Sequence, residues 1–222
     1  MLYEKSVDKC VYMLYNISCD IYLWIFIKEE NIMPPKQKIT KEELLECAAR
    51  IAEREGISSV TSRSVAKDAG CSIQPIFSQF PTMEILRQET FDYVCKKSVE
   101  EVLMFEKYPD YFARTSKWVI DLARKKPNLF RLIYLSGGFH GNKLLDVMMD
   151  YENNRDMLLK MTQVYQLDFE VCRDILMRSF LLLIGVGTMI CENRMDFSDE
   201  QVMAMMKQTV SDMVLGAKGA KS

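Results

Sequence analysis

Val60 to Phe80, VTSRSVAKDAGCSIQPIFSQF, reads as two short helices joined by a tight turn, and this stretch decides the fold. Ala66 and Gly70 stand four apart, Val65 precedes the first, and Ile76 follows the second by six residues. Each position answers a geometric need. Where two helices cross steeply their backbones nearly touch, so the crossing residue must be small, as Ala66 is. The turn calls for positive φ, which glycine adopts without a Cβ clash. Val65 and Ile76, with Phe80 one turn further on, supply the apolar contacts that hold the pair together. Ser72 is expected to cap the second helix through its hydroxyl, and Pro75 has no N–H to lose in a first turn.

A stiff, cleanly started helix suits the major groove of DNA, which admits an α-helix and lets its first residues reach base edges. The residues placed to do so are Ser72, Ile73, Gln74, Pro75, Phe77, Ser78 and Gln79. Thr61 is expected to cap the preceding helix, with Ser62 beside it and Arg63 in its first turn facing a phosphate. An ordinary helical hairpin with a glycine turn shares the Ala-x-x-x-Gly spacing. The joint pattern of Val65, Ala66, Gly70, Ser72 and Ile76 favours the nucleic-acid reading.

On either side the chain keeps to the same plan. ITKEELLECAARIAEREG, from Ile39, is a first helix ending in glycine, with a Thr40–Glu43 capping box before the stripe Leu44, Leu45, Ala48, Ile51 and Ala52. FPTMEIL, from Phe80, is a break followed by an acidic-apolar helix start. Together Ile39 to Leu86 resembles the DNA-binding domain of the tetracycline-repressor family of transcription regulators. The resemblance implies an all-α protein with an N-terminal three-helix helix-turn-helix domain over 33–82. A larger helical domain for effector binding and dimerisation follows over 83–217, with a disordered tail at 218–222. It implies a regulator, a repressor released from an inverted-repeat operator by a small apolar or amphipathic ligand. It also implies a homodimer in which the last two helices pair with their mates. Lys38 and Thr82 join the DNA-contacting set on the same ground. Where the family often carries Thr-Leu-Tyr-Tyr-His, this chain has Pro75-Ile76-Phe77-Ser78-Gln79, so the usual tyrosine contacts to phosphate are missing. Lysine, common in the family at the positions of Ile73 and Met83, is missing too.

The formal net charge of −2 and pI near 5.6 exclude a protein that coats nucleic acid non-specifically. DNA binding must rest on local placement, with Lys36, Lys38, Arg63 and Lys67 the best-placed cations. The 7 cysteines are odd in number and widely spaced, without a Cys-x-x-Cys pair and with a single histidine, His140. That pattern indicates no disulfide framework, metal site or cofactor, and points to a reducing, cytoplasmic compartment.

Residues 1–32 do not fit the rest. Val11 to Ile27 is apolar, yet Asn16, Ser18 and Asp20 interrupt it and it falls short of the roughly 20 residues a membrane span needs. Met33 opens a polar lead, MPPKQKIT, and is read as the native start, with 1–32 a poorly packed extension. A membrane-associating helix is the alternative.

After Leu86 a long amphipathic helix carries Phe91, Val94, Val99 and Leu103, and a succession of helices follows. The penultimate one contains FLLLIGVGTMI, too apolar for a helix with one wet face, so it must be covered on several sides as dimer interface or core. Phe91, Trp118, Leu122, Phe130, Tyr134, Tyr151, Met177, Phe180 and Ile184 are the expected lining of an apolar ligand cavity. Arg114, Arg155 and His140 are candidate polar anchors. No catalytic constellation is expected: Gly137-Gly138-Phe139-His140-Gly141-Asn142-Lys143 lacks the spacing of a phosphate loop, and His140 has no nucleophile beside it.

Overall fold

The computed structural model describes residues 39–105, 107–108, 110–137, 151–194 and 196–219, and of 151–154 and 156 the backbone alone. The extension 1–32, Lys38, His140 and the side chain of Tyr151 lie outside that description. Contacts divide the chain into two units, Met1–Thr40 and Lys41–Ser222, and the helices below belong to the second. Every described element is helical, and no strand occurs among the described residues.

Helix α1, Lys41–Glu55, buries Leu44, Cys47, Ala48, Ile51 and Ala52, a stripe at the helical period. Glu42 and Glu43 sit in its first turn, where the positive end of the helix dipole favours carboxylates. A single tight turn, Ile57–Ser59, leads through fully buried Val60 into α2, Ser62–Asp68. Thr61 caps α2 reciprocally: its Oγ1 accepts from the Ser64 N–H at 3.1 Å, and the Ser64 hydroxyl accepts from the Thr61 N–H at 2.9 Å. Gly70 takes φ 64° in the turn, and α3 follows as Gln74–Gln79.

Ser72 does not cap α3. The N-cap is Ile73, itself at helical φ/ψ and with no side-chain cap, so the helix begins one residue too late for the serine hydroxyl to reach its free N–H groups. Thr82 is the cap that the next helix uses, its Oγ1 accepting from the Ile85 N–H at 3.2 Å at the head of α4, Met83–Leu103. The apolar stripe of α4 is buried only from Leu86 to Val94; Val99 and Leu103 are exposed.

Helix α5, Tyr111–Lys125, stops at Pro127, which opens the short α6, Pro127–Phe130. Alpha-helix then widens to a π-helical turn over Arg131–Leu135. Helices α7 (Tyr151–Tyr165), α8 (Phe169–Cys191) and α9 (Asp199–Gly219) complete the chain. Lys218 and Gly219, expected in a disordered tail, are helical because Ala217 still packs on the core around Leu158, Leu167, Cys172, Ile175, Leu176 and Val214.

Helix α8 packs against α5, α7 and α9, which cover the buried face of its apolar run from Phe180 to Ile190. By length and composition it is the one described helix able to cross a membrane, yet Ile175, Leu183, Val186 and Ile190 are all buried within this unit. A Cβ at Gly187 would lie 2.7 Å from the ring of fully buried Phe130, whereas one at Gly185 would meet nothing within 4 Å. Of these two, Gly187 is the one that close approach requires. Gly185 lies in an outward stripe with exposed Leu181 and Met189, each four residues from the next.

Helix α1 also packs on α4 and α6. The Asn128 amide donates to the carbonyls of Glu53 at 3.1 Å and Arg54 at 3.0 Å, closing the free carbonyl end of α1. Lys126 pairs with Glu53 beside it at 3.1 Å.

Candidate nucleic-acid interface and ligand cavities

Burial divides α3 into two faces. Ile76 and the following Phe80 are fully buried, while Ile73, Gln74, Phe77 and Ser78 are exposed on the opposite side. That separation follows from the period: 73, 77 and 74, 78 are each one turn apart. Pro75 and Gln79 are half-buried between the faces, and Ser72 is exposed just ahead of them. The Ser78 hydroxyl donates to the Pro75 carbonyl at 2.8 Å. From Cys71 to Thr82 there is no charged residue.

The cations around these helices fall into two groups. Arg50 donates twice to one carboxylate oxygen of Asp68, at 2.7 and 3.1 Å, and Arg54 reaches the other at 3.3 Å. The Arg50 hydrogen bond is the leading cause holding the Asp68 carboxyl below its ordinary range. Burial pushes the neighbouring Cys47 thiol up. Arg87 donates to the Val60 carbonyl at 3.2 Å and Lys41 pairs with Glu89. Arg63 and Lys67 differ: both are exposed on α2, one turn apart, and neither has a partner among the described residues. Thr61 and Ser62 at the head of α2 are half-buried, and the Thr61 and Thr82 hydroxyls are engaged as caps.

No family model and no curated protein matches this chain.

The residues expected around one ligand cavity are distributed over several environments. Phe130, Tyr134 and Phe180 meet in series as tilted ring pairs, with centroids 5.1 and 6.2 Å apart. Burial raises the Tyr134 hydroxyl pKa above its ordinary value, the nearby Cys95 adding to it. The Cys95 thiol is itself pushed up to about 12, again by burial first. Phe91 is buried in α4, and Met177 and Ile184 are half-buried on α8. Trp118 and Leu122 instead line a cleft of about 300 Å³ between α1, α4 and α5, walled by Arg50, Lys97, Asp121 and Lys125 as well as apolar groups. The Trp118 indole N–H donates to Glu101 at 2.9 Å there.

A larger groove of about 680 Å³ is bounded by Phe112 and Ala113 of α5, Tyr165 at the end of α7, and Met203, Met206, Val210 and Val214 of α9. Its volume lies within the range of about 300–1,000 Å³ typical of small-molecule sites. The α9 residues share one helical stripe, so the signal was in the sequence. Periodicity does not separate a stripe that meets another helix from one that meets a void. Arg114 pairs with Asp110 at 2.7 Å at one end of this groove, and Arg155 is exposed on α7.

Proposed function

We propose that the chain is a sequence-specific DNA-binding transcriptional regulator of the tetracycline-repressor type, acting in the cytoplasm as a homodimer without cofactor or metal and without catalytic activity. The carrying observation is the contrast among cations. Arg50 and Arg54 are held by Asp68, while Arg63 and Lys67 stand exposed and unpaired on the helix preceding the outward face of α3. In this reading α2 and α3 form a helix-turn-helix: Arg63 and Lys67 contact phosphates, and Gln74 with its neighbours reads base edges in the major groove. Helices α8 and α9 pair with their mates, the outward stripe of Leu181, Gly185 and Met189 supplying the contact. A small apolar or amphipathic effector, for which the 680 Å³ groove offers space, releases the operator by favouring another spacing of the recognition helices.

Footprinting the purified protein on the promoters of its own gene and its neighbours tests the proposal, with a protected inverted repeat as the expected result. Arg63→Ala and Lys67→Ala should each weaken binding to specific and random duplex alike, and lower the salt slope by about one ion per subunit. Leu181→Glu should halve the mass in solution. Retention of specific duplex no better than random would overturn the regulator. The competing reading, a membrane-associated helical module, rests on the length and apolarity of α8. It expects binding to lipid vesicles and none to duplex.

A further inference from the structure

The outward face of α3 has a composition that matches one kind of base pair. Ile73 and Phe77, exposed over 47% and 48% of their surface, lie one turn apart, and the amide of Gln74 and hydroxyl of Ser78 lie alongside. Ile73, the N-cap, and Phe77 form a half-exposed apolar pair at the head of a helix of six residues, which an apolar group of a partner would cover favourably. In the major groove the one apolar group that a base pair offers is the C5-methyl of thymine, and its partner adenine offers the donor and acceptor that an amide pairs with. Guanine is best read by arginine or lysine and cytosine by a carboxylate. Neither type occurs between Cys71 and Thr82.

We infer that α3 reads adjacent A·T pairs, Ile73 and Phe77 packing against thymine methyl groups while Gln74 pairs with adenine. This rests on the DNA-binding reading above and adds the base composition of the half-site to it. The unpaired Arg63 and Lys67 on α2 supply the phosphate contacts that make duplex DNA the occupant of this face in preference to a protein.

The test uses the full chain. Duplexes retained from a random-sequence pool should share a half-site with consecutive A·T pairs. Each dT of that half-site is then replaced in turn by dU, which removes the methyl group and nothing else. Affinity should fall about fourfold at one or two positions, the factor equivalent to about 0.8 kcal/mol for one methyl-sized group. Phe77→Ala should bind the dT and dU duplexes equally at one of those positions, and Gln74→Ala should keep the penalty. A half-site in which every dU is tolerated, or a penalty that survives in both Phe77→Ala and Ile73→Ala, overturns the inference and leaves the regulator standing. If Phe77→Ala lowers the mass in solution and leaves DNA affinity unchanged, the apolar pair seals a contact between copies and the inference is wrong. Retention of no duplex at all overturns the regulator and this inference together.

Discussion

Two glycines two residues apart on α8 should respond to the same substitution with opposite signs. At Gly187 a Cβ would lie 2.7 Å from Cε2 and Cζ of Phe130, against the roughly 3.5–4.0 Å at which carbon atoms rest in contact. The ring would have to retreat by about 1 Å, but Phe130 is fully buried and already lies against the Tyr134 ring, centroids 5.1 Å apart. Overpacking of this kind costs about 1–3 kcal/mol, and replacing glycine by alanine in a helix interior returns about 1. Gly187→Ala should therefore destabilise by up to about 2 kcal/mol on balance. In the single chain Gly185→Ala meets no neighbour within 4 Å and keeps the whole gain of about 1 kcal/mol. Urea unfolding followed by far-ultraviolet circular dichroism resolves that gap, at a protein concentration low enough to keep the chain monomeric. Phe130→Leu should cost stability alone yet be partly offset when combined with Gly187→Ala, giving a coupling energy between the two sites. If both alanine variants move the midpoint the same way, or the double mutant shows no coupling, the close approach of α6 to α8 is not what excludes a side chain at Gly187.

Asp68→Asn should destabilise by about 1–2 kcal/mol at neutral pH, because the three hydrogen bonds from Arg50 and Arg54 lose their carboxylate charge while solvent around the exposed arginines screens part of the effect. The sign with pH follows from the lowered Asp68 pKa. Its stabilisation is complete above the unfolded value of about 3.9 and fades as pH falls through the lower folded value, so the variant and parent should converge in acid unfolding. Gly70→Ala should cost about 1–2 kcal/mol from backbone alone, since φ is 64° and a Cβ there touches nothing, with Gly70→Asn losing less. Cys95, its thiol raised to about 12, should resist iodoacetamide at pH 8 in the native protein and label readily in urea. Fast native labelling would show that the α4 face carrying it opens to solvent.

Local rules made the early helices legible. The positive φ of Gly70, the Thr61 cap, burial of Val65, Ile76 and Phe80, and the stop before Pro127 are each decided within a few residues of chain. Ser72 misled because a cap is defined by where the helix begins, and Ile73 entered helical φ/ψ one residue beyond it. The cavity was least legible. Phe130 and Tyr134 have the spacing of inward-facing rings, which is the same whether a ring meets a ligand or, as here, a glycine backbone and another ring. The Asp68 and Asn128 contacts join residues 14 to 75 positions apart, beyond any periodic signal.

The Asn128 amide makes a joint out of what would otherwise be a mere neighbour. Its two donors grip the last carbonyls of α1, at a bend where the chain leaves α5 for α6. From that terminus Arg54, and Arg50 one turn earlier, reach across to Asp68 at the end of α2, so hydrogen bonds run without a break from the α5–α6 bend through α1 to α2. The ends of the first two helices are thus fastened to one bend by side chains alone.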